Sequence, residues 1–269
     1  MKVSRSGYYA WLKRPCKVIT ETELNLYRRS KFLFQASRQS LGSRQLMKQL
    51  RKEGFKIGRH KVRNLMKKLN LRVKQRIAYK VTTKRKHSDK VADNVLNQQF
   101  NPQKPNHCWA GDITYLQTAE GWMYLSVVMD LYSRKIIGWA IDRRMTIDLV
   151  ERSMQMAITL RKPEARVVFH SDRGSQYTSS CFKKLLDRNK LTPSMSGKGA
   201  CLDNAVVERF FGSLKNEWLL NIYHSTRTGM KKDVEGYIRY YNGIRLHTTL
   251  NDLSPIEFEK SKGKVSDFI

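Results

Sequence analysis

Three carboxylates stand where acidic side chains are costly. Asp112 interrupts an apolar, strand-like run from Trp109 to Gln117, Asp172 closes a second run that begins at Val167, and Glu208 lies on a helix-like stretch. A carboxylate among strand residues is expensive to bury as an anion unless it binds a cation or gains partners, so three of them from distant segments imply one convergent cluster. Two divalent ions about 4 Å apart, bridged by such groups, activate water or a 3′-hydroxyl and stabilise the leaving oxygen of an in-line displacement. Magnesium prefers this all-oxygen shell, and manganese can use it. The pattern predicts a magnesium site for phosphoryl transfer, with Asp112, Asp172 and Glu208 as ligands.

Neighbouring residues are weighed against the same chemistry. Lys215 follows Glu208 by seven positions, so one helical stripe offers a metal ligand and a cation that can hold a phosphate, although a solvated helix lysine is the plainer reading. Asp130 precedes a hairpin turn and Asp203 precedes the last long helix, where Asp commonly caps, and both are read as structural. Glu217 falls on a different side of the helix from Glu208 and is left out of the cluster. His170 is read as a hydrogen-bonded structural group. Gly174, Gly197 and Gly199 allow loops to approach DNA closely.

The elements that must position these groups begin with three strands, Trp109 to Gln117, Trp122 to Asp130 and Ile136 to Ile141, joined by hairpin-sized connections. Alternation puts Ala110, Asp112 and Thr114 on one face of the first, and Trp109, Gly111, Ile113 and Tyr115 on the other. A helix over about 147–161, a short strand over 167–169, a helix over about 179–189, a strand near 192–195 and a long helix from about Asn204 follow. This order predicts an α/β, ribonuclease H-like layer sandwich: a five-stranded mixed sheet with flanking helices. If the strand before Asp172 lies beside the first strand, Asp112 and Asp172 meet.

Ahead of the core the chain changes character. Its net charge is +29, and residues 1–100 hold 27 Lys/Arg against 5 Asp/Glu, a net +22. Such a front half attracts a polyanion, and nucleic acid is the expected partner. A helical stretch from about Glu21 to Ser37 turns Leu24, Tyr27 and Phe34 to one side. A second helix has Ser43 as N-cap, Leu46 and Leu50 inward and Gly54 at its left-handed end. A third, from about Arg59 to Leu69, turns Val62, Leu65, Met66 and Leu69 inward and Arg59, His60, Lys61, Arg63, Asn64 and Lys67 outward. Two short helices across a Gly-containing turn make a small all-α helix-turn-helix domain, with the outward residues of the second on DNA.

The domain layout expected is a helix-turn-helix region over 1–71, a basic linker over 72–105 that orders on DNA, a catalytic core over 106–222 and a helical tail over 223–269. No window approaches 18 uninterrupted apolar residues and no Lys/Arg-faced amphipathic helix stands out, so a soluble, cytoplasmic protein without a membrane partner is expected. Cys16, Cys108, Cys181 and Cys201 are scattered, which argues against a zinc knuckle or a disulfide framework.

These residues also carry a resemblance. The blocks His107-x-Trp109-x-x-Asp112-Ile113-Thr114-Tyr115, Asp130-Leu131-Tyr132-Ser133-Arg134 with Gly138-Trp139, and His170-Ser171-Asp172-Arg173-Gly174-Ser175-Gln176-Tyr177 resemble bacterial transposases of the insertion sequence three family. So do Asp203-Asn204-Ala205 with Glu208, Phe210, Lys215 and Glu217, and the tail Tyr240-Tyr241-Asn242-x-x-Arg245-x-His247-x-x-Leu250 with Pro255 and Phe258. Ser4 to Tyr9 and the turn at Gly42-Ser43-Arg44 are similar to the family's second-reading-frame product. Ala200 and Leu202 depart from the family, which often has Asn and an aromatic there.

The resemblance implies an Asp-Asp-Glu catalytic triad, cleavage of one strand at terminal inverted repeats, and attack of the resulting 3′-hydroxyl on DNA through a bridged or circular intermediate. It implies homo-oligomers on paired double-stranded DNA ends and a first-reading-frame protein, joined by frameshifting, as partner. Arg245 and His247 either contact DNA or pack the tail. Two alternatives remain open from the residues: a ribonuclease H-like nuclease without strand transfer, and a non-catalytic DNA-binding regulator of the element. A retroviral-type integrase ranks lowest, because no His/Cys zinc spacing occurs.

Overall fold

A computed structural model of the chain describes residues 4–13, 19–73, 92–164, 166–197, 204–220 and 222–263. It divides into two compact units, Met1–Val73 and Lys74–Ile269. The loop departures at Ala200 and Leu202, the proposed cap Asp203, and Cys16 and Cys201 lie outside the described residues.

The first unit is helical. Helix α1 (Arg5–Leu12) starts where the Ser4 side chain accepts from the Gly7 amide, and it buries no residue. Helices α2 (Glu21–Ala36), α3 (Ser43–Lys52) and α4 (Arg59–Lys68) enclose a core of Leu26, Phe34, Leu41, Leu46, Leu50, Ile57, Val62, Leu65 and Met66. Leu24, expected inward, is 40% exposed, and Leu26 takes the inward position, one and two turns before Ser30 and Phe34. Gly42 rather than Ser43 is the N-cap of α3, so no side chain caps that helix. Gly54 adopts φ +91°, the left-handed geometry expected after α3. Arg59, His60, Lys61, Arg63, Asn64 and Lys67 are all exposed along α4.

The second unit is a sheet between two helical layers. Strands β1 (Cys108–Thr118), β2 (Gly121–Asp130), β3 (Lys135–Asp142), β4 (Val167–Ser171) and β5 (Leu191–Met195) stand in the order β3-β2-β1-β4-β5. The first three are antiparallel neighbours, and β4 and β5 run parallel to β1. One face packs on helices α5 (Ile147–Arg161) and α7 (Ser180–Arg188) through Trp109, Val128, Ile137, Val150, Met154, Phe169, Phe182 and Leu186. Gly138 permits the close approach of α5, for a Cβ there would lie 2.1 Å from the Ser153 carbonyl oxygen. A single turn, α6 (Ser175–Thr178), precedes α7 and was not anticipated from the sequence.

The opposite face packs on α8 (Ala205–Leu214) and α9 (Arg227–Gly243). Ala110, Leu116, Leu125, Val127 and Met129 meet Val207, Phe210, Leu214, Val234 and Tyr237. The tail is therefore part of the core layer. Asn242 completes the junction by donating to the Ile136 carbonyl and accepting from its amide, each at 2.9 Å. On α10 (Pro255–Gly263), Glu259 accepts from Ser133 Oγ at 2.7 Å, from Lys135 Nζ at 3.0 Å and from Arg161.

The described end of the expected linker also packs here. Leu96 is buried against the α8–α9 face, and Ser194 Oγ accepts from the Val95 and Leu96 amides at 3.0 and 3.1 Å. Residues 92–105 thus belong to the sheet unit, because Leu96 has an apolar surface to cover and Ser194 supplies partners for the backbone.

Candidate active site

The site is assembled by strand register. Strand β1 pairs with β4 through Cys108 with Val168, Trp109 with Phe169 and Ala110 with His170. Two residues past the last of these pairs stand Asp112, still on β1, and Asp172, just beyond the end of β4. Parallel neighbours deliver both carboxylates to the carboxyl end of the sheet, where loops have room to open. Asp112 faces the α8 side with Ala110, whereas Trp109 and Ile113 face α5 and α7, as alternation requires. Phe169 demands a glycine beside Asp112, since a Cβ on Gly111 would lie 2.6 Å from its ring.

Backbone donors hold each aspartate. Asp112 Oδ1 accepts from the Ile113 amide at 2.8 Å, and Asp172 Oδ1 accepts from the Gly174 amide at 2.9 Å. Helix α8 brings the third carboxylate across. Asn204, buried at its first turn, donates from Nδ2 to the Gly111 carbonyl at 3.3 Å, one residue before Asp112. Glu208 follows one turn later.

The electrostatics record the convergence. Burial and then the charge of Asp172 raise the Glu208 carboxyl above its ordinary pKa. Burial lowers Lys215, although its side chain reaches solvent, and the Asp112 charge acts in the opposite direction. The fully buried Tyr177 phenol is pushed well above its usual range by burial, then by Asp112 and Asp172. Asp172 thus acts on Glu208, and Asp112 on Lys215.

The candidate donors are all carboxylate oxygens. That donor chemistry fits a hard divalent ion, with Asp112, Asp172 and Glu208 as the groups able to hold it. Among the described residues no three His, Cys, Asp or Glu side chains form a ready-made metal cage.

Other candidates resolve as structural. His170 is fully buried, with its ring nitrogens 2.9 and 3.2 Å from the hydroxyls of Ser194 and Ser196. Asp130 is buried, accepting from the Asn106 and Tyr132 amides and facing Arg161 at 3.4 Å. Arg245 packs the tail, donating to Glu217 through Nε at 2.8 Å and Nη2 at 2.7 Å. His247 is buried with its ring edge-on to Tyr241. Cys108 and Cys181 are free thiols.

Comparison with known proteins identifies the family. Residues 102–201 and 208–262 each match an integrase core domain, and residues 24–79 match an HTH-like domain. The chain is 40% identical over 262 residues to transposase InsF for insertion sequence IS3A of Escherichia coli strain K12, covering 96% of this chain and 91% of that one. The chain belongs to the IS3 family of transposases. This IS3-family transposase is also 38% identical over 259 residues to a 31 kDa protein of insertion element IS600 from Shigella sonnei, covering 96% and 95% of the two chains. Its fold is that of a chain in the simian T-cell lymphotropic virus intasome, solved with the PP2A regulatory subunit B56 gamma. The TM-score is 0.50 and the identity 15%, over 86% of this transposase and 73% of that chain. No described helix of the transposase is long and apolar enough to cross a membrane.

Proposed function

We propose that this transposase cleaves one strand at each terminal inverted repeat of its element and joins the freed 3′-hydroxyl to DNA, using Asp112, Asp172 and Glu208 to hold Mg²⁺, or Mn²⁺ in its place. The observation that supports the reading is the parallel pairing of β1 with β4 as far as Ala110 and His170, which leads both chains toward Asp112 and Asp172 two residues on. Bound there, the divalent ion supplies Lewis-acid stabilisation of the oxygens that enter and leave phosphorus.

The chain's own groups do the rest. In cleavage a P–O bond to water forms as the P–O3′ bond breaks, and in transfer the 3′-hydroxyl oxygen takes the place of water. Asp112 and Asp172, each held by a backbone amide, keep fixed positions through both displacements. The Lys215 ammonium pairs with a non-bridging phosphate oxygen as a point charge. The exposed cations of α4, Arg59, Lys61, Arg63 and Lys67, hold duplex phosphates, while His60 and Asn64 reach base edges.

The family resemblance supports a homo-oligomer that pairs two DNA ends, a first-reading-frame protein joined to this chain by frameshifting, and action in the bacterial cytoplasm. The test incubates the full chain, and its frameshifted fusion, with labelled element ends in Mg²⁺, Mn²⁺ or EDTA, beside Asp112→Asn. Metal-dependent joined products that vanish in the variant are expected. Hydrolysed ends without joining would replace the reading by a nuclease, and end binding with no products from either form would replace it by a regulator.

A further inference from the structure

Helix α8 does not simply end after Glu208. Over Lys215–Leu219 it widens into a π turn, a geometry that departs from the plain α ladder and is frequent at functional sites. The tail grips this turn on one side. Glu217 accepts from Arg245 Nε and Nη2 at 2.8 and 2.7 Å and from the Tyr237 hydroxyl at 3.1 Å, while Arg245 Nη2 also reaches Ser213 Oγ at 3.4 Å. The next residue, Trp218, stacks on Tyr240 at 5.6 Å between centroids and stands edge-on to Tyr237 at 5.5 Å. It rests on Gly236, where a Cβ would lie 3.0 Å from its indole.

The first residue of the same turn faces elsewhere. Lys215 is exposed and stands seven residues past Glu208, whereas Glu217, two residues on, is turned to Arg245. The Arg245 and Glu217 side chains are only 22% and 12% exposed, so the fork of two parallel bonds is largely shielded from water and its direction is fixed. A partly buried pair of this kind adds little net stability over apolar residues of like volume. What it supplies is a defined geometry for the turn.

We propose that Arg245 is a positioning residue for phosphoryl transfer: through Glu217 it sets the π turn, and the turn aims Lys215 at the phosphate held beside Asp112. The inference rests on the function proposed above, and it gives the tail, which lies outside the carboxylate cluster, a role in the reaction. Arg245 touches neither DNA nor the reacting atoms in this account.

The experiment is a mutant cycle on the full chain or its fusion. Joining rates at saturating DNA ends are compared for the parent, Lys215→Ala, the paired swap Glu217→Met with Arg245→Met, and all three changes together. The swap replaces the ion pair by side chains of similar volume and keeps the fold; if it melts early, Arg245→Lys takes its place in the cycle. Lys215→Ala and the swap are each expected to slow joining by about ten- to a hundred-fold, with end binding and melting temperature retained, and the triple variant is expected to be no slower than Lys215→Ala.

A second readout traps Lys215 with borohydride on an abasic aldehyde placed beside the scissile phosphate, and trapping falls in the swap. Losses that multiply in the triple variant, normal joining by the swap or by Lys215→Ala, or undiminished trapping would each overturn the proposal. Normal joining by Asp112→Asn would instead overturn the carboxylate reading on which it rests.

Discussion

Asn204 donates to the Gly111 carbonyl across 3.3 Å, tying the first turn of the helix that bears Glu208 to the strand that bears Asp112. The tether lies one residue from the aspartate and one turn from the glutamate, so it ties the approach of one to the other. Replacing Asn204 by Ala is expected to lower joining about a hundred-fold while leaving DNA-end binding intact, the loss that accompanies a displacement of roughly 1 Å at a reacting centre. Parallel gel-shift and joining assays read the two quantities separately.

Metal binding is measurable without catalysis. Mg²⁺ at about a hundred times its Kd stabilises a protein that binds it only when folded by roughly 2.7 kcal/mol, so the parent's melting temperature rises with Mg²⁺ and falls back with EDTA. Asp172→Asn is expected to abolish that rise. It also returns Glu208 toward the ordinary glutamate range, because the Asp172 charge is one of the two influences holding its pKa up. Carboxylate titration by NMR checks the second outcome.

His247 predicts an acid-sensitive fold. Burial, reinforced by the charges of Arg245 and Arg134, depresses its pKa from 6.5 to about 3. Between those values the unfolded chain binds a proton that the folded chain does not, so this contribution to stability is intact above pH 6.5 and is lost as pH falls toward 3. The slope is at most about 1.4 kcal/mol per pH unit. His247→Gln is expected to flatten the stability profile in that window, as read by urea unfolding at several pH values.

Two glycines are packing requirements. A methyl on Gly138 meets the Ser153 carbonyl of α5 at 2.1 Å, and one on Gly111 meets the buried Phe169 ring at 2.6 Å. Gly138→Ala opposes backbone, which cannot rotate away, and is expected to cost about 3 kcal/mol. Gly111→Ala opposes a side chain and is expected to cost about 1 to 3 kcal/mol. Denaturant midpoints on the full chain test the ranking, and equal losses would contradict it.

The exposed face of α4 predicts salt-dependent binding. Replacing Lys61 or Arg63 by Ala removes one phosphate contact and is expected to weaken binding to every duplex alike, lowering the salt slope by about 1. Asn64→Ala is expected to act mainly on the element's own ends. Binding titrations across salt concentrations, on terminal and unrelated duplexes, separate these effects.

Much of the core could be read from residue order. Strands β1 to β3, the helix after them and both carboxylate-bearing runs follow from alternation and apolar periodicity, which are local properties. Leu24 shows where that reading slips: in a helix with several apolar positions, the inward face is chosen by what the neighbouring helices present. The one-turn helix at Ser175–Thr178 is too short to carry a period.

The tail was the least legible segment. Arg245 and His247 suit DNA contact or packing equally well by type, and only the arrival of Glu217 on a π turn turns Arg245 inward. Asp130, likewise, is an ordinary turn aspartate until Arg161 is seen facing it across the fold.

By itself the sequence determined the five strands and most of the helices, the candidate carboxylates Asp112, Asp172 and Glu208, the basic front half and the family, because each is written in residue type and spacing along the chain. Tertiary structure alone decided that β4 lies beside β1 in the register that pairs Ala110 with His170, that Asn204 clasps Gly111, and that Arg245 grips Glu217. These are contacts between segments far apart in sequence, and their partners are chosen by packing and hydrogen-bond satisfaction across the whole fold, which no local pattern records.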